Sequence, residues 1–365
     1  MIIGSVILIL LTILIANILI LAITAPIYLH LPRFGKFPSG ARLERIRRSP
    51  NYRDGKFHNH SGAEAMGNMH FGKLLKTINK ILFGKKKISL KPGEPLQMVK
   101  RDLRQLPADR DFYVWFGHSS YLLSLHGTTL LVDPTFVTAS PVSFINKPFP
   151  GTDRYLPEDM PEHLDYLVIT HDHYDHLDCE TIERLKDRVG RVICPLGVGE
   201  HLERWGVRPE QLVEMDWQET NVLSDGWSVH CLPSQHFSGR SFRRNNTLWA
   251  SFLMETPYGR IFLGCDGGYG PHFREIGEAY PGIDLAILEN GQYNEQWRDI
   301  HTMPEFLGKE AVDLGARKVI TVHHSKYALS LHPWDEPLGN ELAARDKYGF
   351  DLIVAELGEV TPLDL

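Results

Sequence analysis

The sequence predicts an α/β fold in which two β-sheets lie face to face between outer layers of helices. This four-layer αββα sandwich is preceded by one N-terminal transmembrane helix. Three observations predict it. Strand-type runs occur in two batches, each followed by helix-forming segments, which fits paired sheets with helices outside. Polar residues of metal-ligand type follow several of these runs, and a long uncharged segment opens the chain.

The uncharged N-terminal segment extends from Ile2 to Ala25, and Asn17 is its only strongly polar residue. A helix of this length, at about 1.5 Å per residue, exceeds the roughly 30 Å hydrocarbon core of a bilayer. No Lys or Arg precedes the run, and Ile23 interrupts the small-residue pattern that a signal-cleavage site requires. We therefore expect residues 1–30 to form a retained transmembrane anchor.

Charge is distributed unevenly after the anchor. Residues 31–105 carry 18 Lys and Arg against 5 Asp and Glu, whereas residues 106–365 carry 21 against 40. The positive-inside rule then predicts a single-pass protein of the cell membrane whose body is cytoplasmic. The basic flank suits anionic headgroups, and binding to nucleic acid is not expected because the body is acidic and lacks a recognised motif. The basic residues nearest the anchor are Arg33, Lys36, Arg42, Arg45, Arg47 and Arg48.

Beyond the anchor we expect a basic juxtamembrane connector, residues 31–109, and a globular body, residues 110–365. Within the connector, segment 71–83 carries spaced lysines and could form an amphipathic helix that lies on headgroups or packs on the body. The cysteines lack paired spacing, as is typical of reduced thiols in a protein that faces the cytosol. They are Cys179, Cys194, Cys231 and Cys265.

The pattern of apolar residues and turn residues predicts where the strands and helices of the body lie. Strands are expected at 112–125 and 128–132, joined by a turn at 126–127, and at 248–255 and 260–263, joined across 257–259. Helices are expected at 180–188, 198–205, 303–314 and 336–348.

The most informative motif is the H-x-H-x-D-H pattern of His171, His173, Asp175 and His176, which follows the apolar run 164–169. Side chains this close in sequence cannot share one face of a helix or strand, but a loop lets them converge on one point. Imidazole nitrogens and carboxylate oxygens are the ligands that borderline divalent metals select. The motif predicts a metal site at a strand end; a histidine-rich surface loop is the alternative.

Three more candidate ligands each follow a strand-type run: His236 after 227–232, Asp266 after 260–264 and His323 after 318–322. A single histidine at a strand end is more often structural. Together with the histidine-rich loop, however, the three predict partners for one metal site.

These seven residues resemble the dinuclear ligand pattern of the metallo-β-lactamase fold superfamily. The resemblance implies that His171, His173 and His236 hold one metal. It implies that the other is held by Asp175, His176 and His323, with Asp266 bridging both. Asp133, which follows the apolar run 130–132, matches a residue that supports the ligand loop from outside. Residues 110–365 would then be a metallo-β-lactamase-like hydrolase domain.

A narrower resemblance covers most of residues 110–335 and is to the branch of phospholipases D that hydrolyse N-acylphosphatidylethanolamine. Its motifs lie at 115–119, 133–136, 139–141, 175–178 and 322–329. The resemblance implies a phospholipid substrate and matches His301, before Pro304 and Glu305, to an active-site histidine; a histidine near a helix cap is the alternative. The chain departs from the branch at His324, where an aromatic residue is expected, and at Ser325-Lys326, which replace a Gly-Thr pair.

The expected cofactor is two Zn²⁺ per chain, with Mn²⁺ or Fe²⁺ as alternatives, holding a bridging hydroxide that attacks the substrate. His173 stands where a redox diiron relative would have Glu, which favours hydrolysis. The candidate catalytic residues are Asp175, Asp266 and His301, and the candidate outer partners of the ligands are Asp133, His118 and His324.

The predicted function is therefore that of a membrane-anchored dinuclear-zinc hydrolase, a phosphodiesterase that acts on phospholipids. Its expected partners are the phospholipid bilayer and the lipid substrate, and the sequence predicts no oligomeric state. A lactonase or other carboxylic-ester hydrolase on the same metals is one alternative. A non-catalytic membrane scaffold stabilised by metal is the other.

Overall fold

Two seven-stranded sheets form the body in the computed structural model, which describes residues 2–63, 88–105, 110–142, 144–224 and 226–365. The first sheet contains, in spatial order, β16 (Val360–Pro362), β3 (Phe112–Trp115), β4 (Tyr121–Leu125), β5 (Thr128–Val132), β6 (Leu164–Val168), β7 (Val189–Pro195) and β8 (Leu212–Met215). The second contains β15 (Asp351–Leu352), β14 (Lys318–Val322), β13 (Leu285–Glu289), β12 (Gly259–Leu263), β11 (Ser251–Thr256), β10 (Ser228–Leu232) and β9 (Thr220–Val222). A small hairpin precedes them, β1 (Tyr52–Arg53) and β2 (Lys56–Phe57).

The two sheets share one order of pairing. From one edge, each has three antiparallel pairings followed by three parallel ones: β16 to β5 and then β5 to β8 in the first sheet, β9 to β12 and then β12 to β15 in the second. The sequence shows no repeat, so only the topology reveals two similar halves. Because parallel strands end at the same edge, the loops after β5 and β6 lie together, as do those after β12, β13 and β14.

Helices of the body lie outside the two sheets and complete the predicted αββα sandwich, whereas α1 (Ile2–Leu29) precedes the body. The helices after α1 are α2 (Gly40–Arg48), α3 (Cys179–Leu185), α4 (Gly199–Arg204), α5 (His272–Ala279), α6 (Leu307–Leu314) and α7 (Glu336–Tyr348). Side chains of the second sheet alternate between two cores. Ile261 and Leu263 belong to the core shared with the first sheet, whereas Phe262 between them packs with Phe273 of α5 and Leu307 of α6. The second sheet is thus buried on both faces.

One strand prediction is wrong. Residues 112–125 form two strands, β3 and β4, because the chain turns back at Gly117 and His118, whose φ angles are 80° and 54°. Positive φ suits glycine and strains other residues, so Gly117 carried a turn signal that the apolar pattern around it concealed. The predicted helices form within a few residues of their expected positions, and α2 and α5 were not predicted.

The N-terminal helix α1 contains a stretch, Ile9–Leu29, that is long and apolar enough to cross a membrane. None of that stretch is buried against the body. The helix continues four residues beyond the uncharged run seen in the sequence and is followed by a single 3₁₀ turn, Pro32–Phe34. It is a candidate membrane anchor.

The basic residues after the anchor were expected to face headgroups, and for Arg42 this expectation is wrong. Its guanidinium lies 2.7 Å from Glu200, 2.5 Å from Glu203 and 2.8 Å from Glu214, and its side chain is only 14% exposed. Partial burial would lower the pKa of Arg42, but the three carboxylates outweigh it and raise the pKa. Long-range pairing with the acidic body therefore decides where this cation goes.

Lys36 and Arg45 also pair with body glutamates, Glu200 and Glu219, at 2.6 Å each. The part of the connector that the structure describes up to residue 63 thus packs on the body, and the division at residue 109 stays a prediction. The proposed amphipathic segment 71–83 lies outside the described residues.

Lys326, which replaces a residue of the expected branch motif, is buried, and its Nζ donates a hydrogen bond to the Thr135 carbonyl at 2.9 Å. The Phe136 and Tyr327 rings flank the ammonium, with each centroid 5.7 Å from Nζ. Burial lowers the pKa of Lys326 to about 8, and Asp178 offsets this only in part.

We expect Lys326→Met to stabilise the protein at pH 7 by roughly 1–3 kcal/mol, because the folded state then no longer holds a buried charge. The unfolded chain binds this proton more readily than the folded one between pH 8 and 10.5. The penalty is therefore complete below pH 8 and disappears as the pH rises to 10.5. Thermal unfolding in detergent at pH 7 and pH 10 measures the difference. Exposed Lys347→Met is the control, and a Lys326→Met variant that is less stable at pH 7 would contradict the argument.

Candidate metal centre

Three histidines converge at one side of the cleft where the two sheets meet. His171 Nε2 lies 2.9 Å from His173 Nδ1, and His236 Nε2 lies 3.2 Å from that same nitrogen. His236 Nδ1 lies 2.8 Å from the Ile300 carbonyl oxygen, so Nδ1 donates and Nε2 is the nitrogen that faces the group. The three ligand nitrogens lie within 4.8 Å of one another and could hold one metal ion.

The other side of the cleft combines histidines with carboxylates. Asp266 Oδ2 lies 3.1 Å from His176 Nε2 and 3.0 Å from His323 Nε2. Asp175 Oδ2 lies 3.7 Å and 3.6 Å from the same two nitrogens. Asp266 also lies within 4.8 Å of His171 Nε2 or Nδ1, so its carboxylate stands between the two groups. The structure thus brings together all seven residues that the sequence singled out as ligands.

Metal ions fit this arrangement. His176 Nε2 and His323 Nε2 are buried and make no hydrogen bond within the described residues, although both face carboxylates. Burial alone would lower the pKa of His176, but Asp266 and Asp175 outweigh it and raise the pKa to about 10. The same carboxylates raise the pKa of His323 well above its usual value against the effect of burial. The carboxylates of Asp175 and Asp266 are stabilised by nearby positive charge, which a divalent cation would supply.

The imidazoles of the three-histidine group behave differently. Burial lowers the pKa values of His171 and His236 well below the usual range and that of His173 to about 4. At neutral pH these rings are uncharged and each retains a lone pair, which is the form that binds metal.

Asp133 holds the ligand loop from outside, as the sequence predicted for its position. Its carboxylate accepts hydrogen bonds from the Thr170 backbone nitrogen (2.8 Å) and hydroxyl (2.6 Å), and lies 2.8 Å from His176 Nδ1. Asp133 therefore fixes both the start of the loop and the orientation of the His176 ring.

The other two predicted outer partners differ. His118 Nε2 lies 2.8 Å from Asp175 Oδ2, so His118 contacts a candidate ligand directly. The His324 ring, in contrast, contacts Thr321, Ser325 and Trp115 instead of any candidate ligand. The expectation that the His324 ring supports the ligands is wrong, because the turn at His323 directs successive side chains to opposite sides.

Sequence reasoning missed Glu289, the last residue of β13. One carboxylate oxygen lies 2.9 Å from His323 Nδ1 and also contacts His301 Nδ1, and the other accepts from the Gly267 backbone nitrogen at 2.7 Å. Glu289 is buried and orients His323 as Asp133 orients His176. A carboxylate that ends an apolar run was the same signal that identified the other candidates.

Arg240 was also missed. Its guanidinium is buried and donates to the carbonyls of Asp172 (2.9 Å), within the ligand motif, and Leu177 (2.7 Å), directly after it. It also donates to the Arg33 carbonyl at 2.7 Å. The Tyr174 ring lies 4.0 Å from the guanidinium carbon. Arg240 thus ties the ligand loop to the turn that follows the N-terminal helix.

The candidate ligands open into a cavity of about 220 Å³ that is also lined by His301, Phe237 and Arg244. A wider groove of about 480 Å³ shares His173, Asp175, Phe237 and Arg244 with the cavity. Leu29 and Phe34, at and just after the end of the candidate membrane span, also line the groove. The lining of the groove therefore includes residues at the end of the span as well as candidate metal ligands.

The family model of the beta-lactamase superfamily domain matches residues 128–324. This range is more than half of the chain and contains all seven candidate ligands. The chain belongs to the metallo-β-lactamase superfamily. An uncharacterised protein of Mycobacterium tuberculosis is 36% identical over 307 residues, covering 82% of this chain and 80% of its own length. The superfamily supports a metal-dependent hydrolase.

Two further relatives are named for activity or location. The N-acyl-phosphatidylethanolamine-hydrolyzing phospholipase D 1 of Caenorhabditis elegans is 29% identical over 275 residues, covering 68% of this chain and 75% of its own. The outer membrane protein RomA of Klebsiella pneumoniae is 53% identical over 100 residues, 27% of this chain and 76% of its own. Among metallo-β-lactamase superfamily branches, the chain is thus similar to the phospholipase D branch.

The fold is also found in the metallo hydrolase Igni18 of Ignicoccus hospitalis, with a TM-score of 0.55 and 18% identity over 70% of this chain and 99% of that one. At this identity the likeness shows the fold alone.

We expect Asp133→Asn to weaken metal binding on the His176 side of this metallo-β-lactamase centre by about 10–100-fold, because it loses the charged partner that orients the ring. Metal content after dialysis against a graded chelator measures this. The matched control is Asp165→Asn, since Asp165 accepts from the Thr129 backbone nitrogen and hydroxyl at 2.8 Å each but contacts no candidate ligand. Equal metal retention in the two variants would refute the orienting role of Asp133.

Proposed function

We propose that the protein is a membrane-anchored, dinuclear-zinc phosphodiesterase that hydrolyses phospholipids in the manner of a phospholipase D. The observation that carries this proposal is the groove, because residues at the end of the candidate span and the candidate ligands His173 and Asp175 both line it. A soluble ester or lactone needs no path from a membrane, whereas a lipid does. The likeness to the phospholipase D branch supports the same substrate class.

Seven residues would hold the two cations: His171, His173 and His236 for one, Asp175, His176 and His323 for the other, and Asp266 for both. Two bound divalent cations supply an acidified water as nucleophile and neutralise charge that develops on the phosphoryl oxygens. The protein's part is to hold these ligands in place before substrate arrives, which Asp133, Glu289 and Arg240 do through their hydrogen bonds.

His301 is placed to act on the leaving group. Its ring lines the cavity, and its Nδ1 contacts Glu289, so Nε2 is the nitrogen left for the substrate. In the hydrolysis, a water oxygen bonds to phosphorus and the bond from phosphorus to the headgroup oxygen breaks. A proton from His301 Nε2 would pass to that headgroup oxygen, and the proton released by the attacking water would restore His301, which leaves phosphatidic acid and a free headgroup.

Arg244 suits the recognition of a phosphodiester at the entrance. Its guanidinium carbon lies 5.1 Å from the centre of the Phe237 ring, and both side chains line the cavity and the groove. Because a guanidinium matches the geometry of phosphate oxygens, we assign Arg244 to the substrate phosphate and Phe237 to its apolar neighbour.

We place the body on the cytoplasmic side of the cell membrane. The basic flank of the anchor supports this orientation through the positive-inside rule. The four cysteines are buried and unpaired, in keeping with a reducing compartment. The name of the Klebsiella relative refers to the outer membrane, so fractionation with a protease-accessible tag is the direct test of location.

For the activity, we expect the full-length protein in mixed phospholipid vesicles to carry about two zinc ions and to release the headgroup in a chelator-sensitive reaction. His173→Ala should lose zinc and at least about 10–100-fold in rate, since it removes one of three histidine ligands. His163→Ala, whose side chain is 69% exposed, is the control and should change neither.

The alternatives have distinct outcomes in this assay. Ring opening of a soluble lactone without any headgroup release would assign the centre to a lactonase. Two zinc ions with no turnover of phosphodiester, ester or thioester would assign it to a metal-stabilised scaffold. Full activity without metal would overturn the proposal altogether.

A further inference from the structure

Two loops carry exposed apolar side chains on either side of the groove. Phe242, in the loop between β10 and β11, is 91% exposed. Phe144 and Ile145, in the loop between β5 and β6, are 72% and 47% exposed. We call these three residues the loop tips. Other residues of the same two loops line the groove, among them Pro141 and Gly239.

Both loops are attached to the end of the candidate membrane span. The Tyr28 hydroxyl donates to the Pro141 carbonyl at 2.9 Å, and the Arg33 guanidinium donates to the same carbonyl at 3.1 Å. From the other loop, Arg240 donates to the Arg33 carbonyl at 2.7 Å. These contacts fix the loop tips beside the point where the chain leaves the span.

Basic residues adjoin the loop tips. Arg243 and Arg244 follow Phe242, and exposed Lys147 follows Ile145 by two positions. Single exposed apolar residues are ordinary on protein surfaces. Aromatic tips with adjacent cations, on two loops that flank a membrane span, have the composition of a surface that enters a bilayer interface.

The energies favour insertion. Removal of a Phe side chain from water is favourable, and a cation near an anionic leaflet adds electrostatic attraction. If the candidate span anchors the body at the membrane, insertion of the tips costs little additional entropy of association.

We propose that the loop tips Phe144, Ile145 and Phe242 insert into the headgroup region of the anionic phospholipid leaflet from which the span emerges. Inserted in this way, they hold the mouth of the groove against the leaflet. A lipid then moves from the bilayer to the candidate metal centre along apolar walls. This last step rests on the proposed lipid hydrolysis, whereas the docking surface rests only on the proposed membrane anchor.

The test places a reporter on each tip of the full-length protein. All four native cysteines are buried, so a cysteine introduced by Phe242→Cys or Phe144→Cys can be labelled selectively with an environment-sensitive fluorophore. In vesicles of phosphatidylcholine and phosphatidylglycerol, we expect both labels to shift to shorter emission wavelengths. We also expect lipids that carry a shallow nitroxide to quench them.

Tyr258→Cys is the matched control. Tyr258 is 56% exposed and lies in the β11–β12 turn, at the other end of β12 from Asp266. Its label should neither shift nor be quenched. A label at Phe242 that behaves like the one at Tyr258 would overturn the proposal, and so would a shifted label that lipid nitroxides fail to quench, since a protein partner would then cover it.

Two further measurements test the role of the cations and the link between docking and hydrolysis. In phosphatidylcholine alone we expect a smaller shift, and an equal shift would overturn the role of the cations. With both tips changed, Phe144→Asp with Phe242→Asp, hydrolysis of vesicle lipid should be lost relative to Tyr258→Asp. If no variant or parent hydrolyses lipid while the tip labels are quenched, the proposed function fails and the docking surface stands.

Discussion

The structure depends on one electrostatic constraint: buried carboxylates in the cleft require positive charge. Asp175 and Asp266 face His176 and His323, whose Nε2 atoms are buried without a hydrogen bond in the described residues. Leaving such groups uncompensated would cost several kcal/mol for each charge. Cations held by these residues would remove that cost, and the surrounding hydrogen bonds keep the candidate ligands in position.

The sheet topology supplies that frame. Because β5 and β6 run parallel, as do β12 to β14, the residues that follow these strands meet at one edge. Each half of the sandwich has one buried carboxylate that contacts the Nδ1 of a candidate ligand. Asp133 contacts His176 Nδ1 in the first half, and Glu289 contacts His323 Nδ1 in the second. A carboxylate that orients a histidine ligand thus occurs in both halves, which share an order of strand pairing but no visible sequence repeat.

The parts of the site that sequence predicted are those whose signal is local. A ligand-type residue directly after an apolar run can be read from a few positions, and this found all seven residues that converge in the cleft. Glu289 carried the same signal and could have been found. The break at Gly117 was masked by the apolar run 112–116 before it. Arg42 and Arg240 could not be placed, because their partners lie more than 60 positions away in sequence and depend on the finished fold.

The turn after the candidate span belongs to the frame of the metal centre. Arg240 joins the Arg33 carbonyl to the ligand loop, and the Lys36 backbone nitrogen donates to His201, whose other nitrogen lies 3.2 Å from the Asp172 carboxylate within that loop. The basic flank therefore packs on the body as well as following the candidate span. Arg42 pairs with acidic residues of the body, so its charge is not available to lipid headgroups. A substitution in this short segment would thus change both the packing of the turn on the body and the charge beside the candidate span.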